Sequence, residues 1–259
     1  MDKKKAAKNF IKFLGIIEEL RGPDGCPWDK EQTHESLLPY FLEETYEVIE
    51  SIEEKKWGTL KEELGDIMLH VALQSQIAFE KRRFDIVDTL DSVNEKLVKR
   101  HPHVFSKRDN VASSDAKKNW EFMKHKEKKR KSRLDGVPSN LPALNRASRL
   151  QQKASYVGFD WKNIDGVWEK LDEELNELKG AIKKNDEQNI GEEIGDVLFT
   201  IVNLARHLKV QSEDELRKAN KKFIERFKKV ESFVKIEGLD FETLSPQKLD
   251  AIWEKIKKD

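Results

Sequence analysis

Apolar residues in the second half of the chain recur at steps of three and four. One stripe comprises Trp168, Leu171, Leu175, Leu178 and Ile182, and a second comprises Ile194, Val197, Leu198, Ile201, Ala205 and Leu208. This spacing is typical of amphipathic helices, which bury one stripe and leave the remaining surface polar. Because the polar segment between them, 183–189, is short, the sequence predicts an antiparallel helical hairpin.

Further helices are predicted at about 213–236, where Phe223, Phe227, Val230 and Val234 form a stripe, and at about 246–258. No convincing alternating run indicates a β-strand. Turn and helix-breaking residues concentrate in 135–142. The sequence therefore predicts an all-α protein with an N-terminal domain over 1–134, a linker over 135–142 and a C-terminal domain over 143–259.

Composition changes this picture little. A chain of 259 residues is long enough for two domains that each bury a core. Lys plus Arg and Asp plus Glu number 49 each, so the net charge favours neither nucleic acid nor a membrane as a partner. With Cys26 alone, no signal-peptide core and no apolar run of about 18 residues, we expect a cytoplasmic protein without an intramolecular disulfide.

An internal repeat with an offset of 130 residues is the most informative feature of the sequence. Glu43-Glu44-x-x-Glu47 aligns with Glu173-Glu174-x-x-Glu177, and the segment 62–66, which ends at Asp66, aligns with 192–196, which ends at Asp196. The interval between the two acidic motifs is the same in both copies. Each half of the chain is therefore predicted to be the same helical module.

The repeated carboxylates predict a metal site. Residues three or four apart share one helix face, so Glu174 with Glu177, and Glu193 with Asp196, form local clusters that the hairpin can bring together. Such clusters repel unless a cation neutralises them, and ligands that are all oxygen favour Mg²⁺, with Mn²⁺ as a substitute. A di-iron site is not expected, because neither copy has a histidine at the spacing that such bundles use.

Two glycines lie inside the acidic helices. Gly65 and Gly195 each cost roughly 1 kcal/mol relative to alanine in a helix. We expect a close helix approach beside the carboxylates to offset this cost, with a plain packing contact as the alternative.

The C-terminal half also offers groups for a phosphate chain and a base. Lys222 and Arg226 are four apart on one predicted helix, and Trp253 and Lys257 are four apart on the last. Taken one by one, the cations are typical of a solvated surface and the tryptophan of a core. Because they occur in the same half of the chain as the acidic hairpin, they are candidate substrate-binding residues.

Several further motifs, together with the acidic repeat, resemble the two-domain MazG family of the all-α NTP pyrophosphatase superfamily. They are Gly25-Cys26-Pro27-Trp28-Asp29, Arg100-His101-Pro102-His103-Val104-Phe105, Leu141-Pro142-Ala143-Leu144, Val157-Gly158-Phe159-Asp160-Trp161 and Val202-Asn203-Leu204-Ala205-Arg206-His207-Leu208. The resemblance covers nearly the whole chain. It implies a homodimer and Mg²⁺-dependent hydrolysis of a broad range of NTPs and dNTPs to the monophosphate and pyrophosphate, in the service of nucleotide-pool house-cleaning.

The resemblance also implies roles for particular residues. The positions that match the family's Mg²⁺ ligands are Glu174, Glu177, Glu193 and Asp196. Glu173 completes the motif as a further ligand or water-orienting base, and Lys222 and Arg226 match positions that contact phosphate. Trp253 and Lys257 resemble the pair that closes over the nucleotide.

The first copy retains the carboxylates of a second, weaker site, which comprises Glu43, Glu44, Glu47, Glu63 and Asp66. At the same offset Lys222 corresponds to Ser92, Arg226 to Lys96, Trp253 to Met123 and Lys257 to Glu127. The first copy therefore lacks a guanidinium and an aromatic stacking surface, and we expect the C-terminal half to carry most of the turnover.

Three other functions remain open on the sequence alone. The acidic motifs could be the solvated faces of a helical scaffold without catalysis. The basic run from Lys117 to Arg133 is typical of a solvated helical face but could bind RNA or phosphate. A narrower dUTPase- or dCTPase-type enzyme of the same superfamily is the closest rival.

Overall fold

The computed structural model describes residues 1–106, 112–128 and 130–258, and every regular element in these ranges is helical. The predicted all-α class is therefore confirmed. The chain divides into two compact units, Met1–Ala112 and Ser113–Asp259. None of the described helices combines the length and apolar character that a bilayer span requires.

The first unit is built around a hairpin of two long helices. Its helices are α1 (Lys3–Arg21), α2 (Pro27–Glu31), α3 (Leu38–Glu53), α4 (Trp57–Glu80), α5 (Ile86–Arg100) and α6 (Pro102–Phe105). Helix α3 pairs with α4, and α1 packs on α4. Their buried core consists of Ile17, Leu37, Ala72, Leu73 and Ile77.

Local chemistry fixes the helix ends of the first unit. The side chain of Asp2 accepts a hydrogen bond from the Lys5 N–H at 3.0 Å and caps α1, while Asp85 and Asp88 form a capping box at the start of α5. After α1 the backbone turns so tightly that a Cβ on Gly25 would collide with the carbonyl oxygen of Leu20. Glycine is therefore required at this turn.

The second unit contains the helices α7 (Ser113–Glu127), α8 (Ala143–Ser155), α9 (Asp165–Lys184), α10 (Glu187–His207), α11 (Ser212–Ile236) and α12 (Pro246–Lys258), with a short 3₁₀ turn at Phe241–Thr243. The predicted hairpin is formed by α9 and α10. Its turn is shorter than the expected 183–189, because Asn185 adopts a left-handed conformation with φ 52° and Asp186 caps α10 at once by accepting from the Asn189 N–H.

Helices α11 and α12 match the predicted ranges of about 213–236 and 246–258 closely. They share a buried core of Val230, Val234, Ile252 and Ile256. The sequence periodicity is sufficient here because each helix has one uninterrupted apolar stripe.

The boundary between the two units differs from the expected linker. Helix α7 lies in the second unit, and the segment 135–142 lies inside that unit rather than before it. The physical reason is Glu121 on α7, which is buried and pairs with Arg149 at 2.7 Å and with Lys153 at 3.4 Å on α8. Within the basic run from Lys117 to Arg133, residue 129 and the side chains of residues 117, 118 and 126 lie outside the described part of the chain.

Two motifs that are far apart in sequence meet at the end of the second hairpin. Arg206 donates to the carboxylate of Asp160 at 2.8 Å, and the His207 ring lies 3.1 Å from the same group. The indole of Trp161 packs so closely over Gly166 that a Cβ there would collide with it. These contacts fix the segment before α9 against the end of α10.

Candidate metal centres

The second hairpin brings three carboxylates from two helices together. Helix α9 carries Glu174 and Glu177 one turn apart, and α10 carries Glu193 opposite them. Ligand oxygens from these three side chains all lie within 4.8 Å of one another. Glu174 is buried, Glu193 is half-buried and Glu177 is exposed. Loss of water contact, with repulsion from Glu193 and Glu174, raises the pKa of Glu177 above its ordinary value.

A lysine that the sequence analysis did not single out neutralises part of this cluster. The ammonium group of Lys170 donates to Glu173 at 2.8 Å and lies 2.7 Å from an oxygen of Glu174. These hydrogen bonds raise the pKa of Lys170. Its position three and four residues before the two glutamates was a readable signal, because such pairs share a helix face.

The first hairpin forms a corresponding cluster from α3 and α4. Oxygens of Glu44, Glu63 and Asp66 lie within 4.8 Å of one another. Burial, followed by repulsion from Asp66, raises the pKa of Glu44. Burial, followed by repulsion from Glu47 and a hydrogen bond shared with its carboxyl, raises the pKa of Glu63. The lysine of the second cluster corresponds here to Tyr40.

Each hairpin brings together three of its predicted carboxylates. Two of the three occupy corresponding positions in the repeat, and the third does not. In the second hairpin the third member is Glu177, and Asp196 is exposed and lies outside the three-carboxylate set. In the first hairpin the third member is Asp66, while Glu47 shares a hydrogen bond with Glu63 and repels Glu44. The exposed Glu43 also lies outside the set.

The close helix approach expected at the two helical glycines is not found within a single chain. A Cβ built on Gly65 or on Gly195 meets no atom within 4 Å, so neither the close helix approach nor the alternative packing contact is found there. Both glycines are exposed in the single chain.

A buried histidine distinguishes the first hairpin. His70, one turn beyond Asp66, has a buried Nδ1 atom without a hydrogen-bond partner in the described structure, and burial lowers its pKa. It is not part of the three-carboxylate set. With Phe41, whose ring centroid is 5.4 Å away, it lines a largely apolar cavity of about 450 Å³. Thr200 occupies the corresponding position in the second copy.

The predicted phosphate-binding cations lie on α11. Lys222 is exposed and Arg226 is half-buried, one helical turn apart. Within the described residues, neither makes a hydrogen bond or an ion pair with the acidic cluster. Both side chains are therefore available to a ligand, while their distance from the carboxylates is set by the packing of α11 on α8 and α10.

The predicted closing pair lies on α12, which packs on α11. Trp253 is half-buried against the α11–α12 core, and its ring centroid is 5.3 Å from that of Phe223. Lys257 is exposed and pairs with Glu254 at 3.1 Å. In a single chain, Trp253 is thus primarily a packing residue with one exposed edge.

Comparison with known proteins identifies the family to which this architecture belongs. The family model of the MazG nucleotide pyrophosphohydrolase domain matches the sequence twice, at residues 32–105 and 164–231, and these ranges contain both acidic hairpins. The two matches confirm that the repeat consists of tandem all-α modules. Helix α12, with Trp253 and Lys257, lies beyond the second match.

Three relatives extend the comparison. The chain is 50% identical to "Nucleoside triphosphate pyrophosphohydrolase/pyrophosphatase MazG" of Thermotoga maritima over 98% of both chains. It is 41% identical to "Nucleoside triphosphate pyrophosphohydrolase" of Escherichia coli K12, covering 95% of this chain and 96% of that one. The like-named Mycobacterium tuberculosis protein is 39% identical over 59% of this chain and 46% of its own length. The chain belongs to the MazG family of nucleotide pyrophosphohydrolases.

Proposed function

We propose that this protein hydrolyses nucleoside and deoxynucleoside triphosphates to the corresponding monophosphate and pyrophosphate, with broad base specificity, and so removes surplus or non-standard nucleotides. The observation that carries the proposal is the convergence of Glu174, Glu177 and Glu193 across the α9–α10 hairpin. The names of the full-length relatives support the substrate class, because they describe nucleoside triphosphate pyrophosphohydrolases.

The proposed cofactor is Mg²⁺, with Mn²⁺ as a substitute. The donor set is entirely carboxylate oxygen, which suits hard divalent cations. The raised pKa of Glu177 reflects desolvation and then repulsion from Glu193 and Glu174, and a cation would relieve the repulsion. Glu174, Glu177 and Glu193 would hold the ion, and Asp196, one turn beyond Glu193, would serve as a fourth ligand. When bound, the ion neutralises phosphate charge and lowers the pKa of a water molecule.

The other proposed roles belong to side chains of the same unit. Glu173 would accept a proton from the attacking water, and Lys170 holds its carboxylate in place at 2.8 Å. Lys222 and Arg226 would contact the phosphates, the guanidinium in bidentate fashion. Trp253 and Lys257 would close over the nucleotide. The first hairpin would hold a second and weaker metal site, for which the candidate carboxylates are Glu43, Glu44, Glu47, Glu63 and Asp66.

We also propose that the protein is a homodimer. Apolar side chains that are 40–50% exposed continue along the outer faces of both hairpins: Leu64, Met68, Val71, Ile194, Leu198 and Ile201. Two helices per hairpin do not enclose these stripes, and pairing with the same face of a second copy would bury them. Sedimentation at micromolar concentration should give twice the monomer mass of 30.3 kDa. A monomer mass would contradict the proposal.

The test of the activity is a panel of NTPs and dNTPs, assayed with Mg²⁺ and with EDTA in excess of metal. We expect turnover of most members of the panel, dependence on the divalent cation, and pyrophosphate as the primary product. Orthophosphate as the primary product would contradict the proposal. Turnover confined to dUTP or dCTP would favour the narrower type of enzyme, and the absence of metal-dependent turnover would favour a scaffold.

A further inference from the structure

A partly polar cavity lies in the second unit, between α7, the segment that follows it and the end of α8, and none of its lining residues belongs to the α9–α10 hairpin. Its volume is about 220 Å³, and it is lined by Glu121, His125, Arg133, Lys153, Tyr156 and Val157. Neither Lys153 nor Tyr156 has a role in the proposed hydrolysis. Both are built into the fold in a way that leaves hydrogen-bond donors facing this cavity.

The ammonium group of Lys153 is buried without close acceptors. The residue is 5% exposed, and its Nζ atom lies 3.4 Å from a carboxylate oxygen of Glu121 and 3.4 Å from the carbonyl oxygen of Arg133. Both distances exceed the usual 2.7–3.2 Å range of an N–H···O hydrogen bond. An ammonium group has three donors, so this buried cation retains capacity for a stronger acceptor.

The hydroxyl of Tyr156 adds a second unused donor. Its oxygen is buried and has no hydrogen-bond partner among the described residues. Burial raises the pKa of Tyr156, so the hydroxyl keeps its proton at neutral pH. A buried hydroxyl without a partner carries a desolvation cost, which a ligand that accepts its hydrogen bond would remove.

The charge around the cavity is positive. Glu121 is already held by Arg149 at 2.7 Å, and this hydrogen bond and the charge of Lys153 keep its pKa low although burial opposes them. On the next turn of α7, burial lowers the pKa of Lys124, and the nearby cation Arg130 lowers it further despite Glu121. The cations that surround Lys124, among them Arg130 and Lys153, contribute to this lowering, which indicates local positive charge that an anion would relieve.

We propose that this cavity binds a tetrahedral oxyanion of the phosphate class, through the ammonium group of Lys153 and the hydroxyl of Tyr156, with Arg133 contributing charge. A volume of about 220 Å³ is below the roughly 300–1,000 Å³ of typical pockets for larger organic ligands, so a phosphate group fits better than a whole nucleotide. The proposal is independent of the proposed function, because the cavity shares no residue with the acidic hairpin.

The test is calorimetric titration of the full-length protein with inorganic phosphate, in EDTA and at ionic strength held constant with chloride. We expect saturable binding that sulfate competes for. Tyr156→Phe should weaken it about tenfold while leaving the melting temperature unchanged or higher, because the hydroxyl has no partner in the protein. Lys153→Met should abolish measurable binding.

Lys222→Met is the matched control, since it removes a cation at the proposed active site and should leave phosphate binding at this cavity intact. Loss of binding in Lys222→Met would place the phosphate at the active site and overturn the proposal. The proposal would also be overturned if the unaltered protein gave no saturable heat with phosphate, or if it and Tyr156→Phe bound phosphate equally well. The tyrosine variant keeps the test valid if Lys153→Met fails to fold.

Discussion

The two acidic hairpins carry the same motif but balance its charge differently. In the second, Lys170 pairs with Glu173 and Glu174, and the pKa of Glu177 is raised. In the first, tyrosine replaces the lysine, and both Glu44 and Glu63 have raised pKa values. A shared ligand motif therefore does not make two equivalent sites, because the neighbouring residues decide how the carboxylates are neutralised.

The helices that flank the hairpins differ as well. The second hairpin is followed by α11 and α12, which carry the proposed phosphate and base contacts. The corresponding helix of the first unit, α5, is 15 residues long against 25 for α11. The residues aligned with Trp253 and Lys257, Met123 and Glu127, lie on α7 in the second unit, so the 130-residue correspondence ends there and the first unit has no counterpart of α12 among its described helices.

The largest expected effect is on turnover. Glu193→Gln should lower kcat/KM for pyrophosphate release on the order of 10²–10³-fold, because it removes a carboxylate that would hold the cation at the reacting phosphates. Asp196→Asn should lower kcat/KM by a similar factor. The matched substitutions in the first hairpin, Glu63→Gln and Asp66→Asn, should each change kcat/KM less than about threefold.

The measurement is steady-state pyrophosphate release from these four variants, after checks of helicity and assembly mass. Equal losses in the two hairpins, or an inactive Glu63→Gln enzyme, would show that the active half is assigned wrongly.

The next effect concerns the lysine that only the second hairpin has. Lys170→Met should lower kcat roughly tenfold, because Glu173 loses the partner that positions it. This loss is a fraction of the roughly 10²–10⁴-fold that a well-placed general base contributes to the rate. The same change should lower the metal concentration for half-maximal activity, since Lys170 no longer competes for Glu174. Lys179→Met, an exposed lysine on the same helix, is the control. Unchanged kcat and metal dependence would contradict the role given to Lys170.

A smaller effect is expected on the pH dependence of stability in EDTA. A carboxyl whose pKa is raised in the folded state binds more protons there than in the unfolded chain, so stability is lost as pH rises from the ordinary value of 4.5 through the raised one. Glu63→Gln and Glu177→Gln should each remove the part of this loss that belongs to the substituted group, and a part should remain after Glu63→Gln because Glu44 also has a raised pKa. Excess Mg²⁺ should suppress the loss.

Melting temperatures across this pH range, with and without Mg²⁺, would check the expectation. The stability of the unaltered protein relative to Glu63→Gln should fall as the pH rises in EDTA, and a relative stability that rises with pH would contradict the sign of the shift.

The smallest expected effect concerns the two helical glycines. Gly65→Ala and Gly195→Ala should each raise the free energy of unfolding by about 1 kcal/mol, because alanine favours the helix and its Cβ meets nothing within the chain. Gly25→Ala should destabilise the protein, since its Cβ would collide with a backbone carbonyl. Denaturant unfolding of the three variants gives the comparison. Destabilisation by Gly195→Ala would instead place this glycine inside the proposed contact with the second copy.

The sequence alone determined the helical class, the repeat and the positions of the long helices. Each of α9 to α12 has a single apolar stripe at helical spacing, and such a local pattern is readable without tertiary information. The acidic motifs were readable for the same reason, because their equal separation in both copies indicates one hairpin geometry used twice.

Only the tertiary structure decided the membership of α7 and the environment of each carboxylate. Helix α7 belongs to the second unit through Glu121, whose partners Arg149 and Lys153 lie 28 and 32 residues further along the chain. Likewise, Glu174 is buried while Asp196 is exposed, although each belongs to an acidic motif that is repeated in both halves of the chain. Burial and pairing depend on which helices meet in space, and the periodicity of one helix specifies its faces without specifying what covers them.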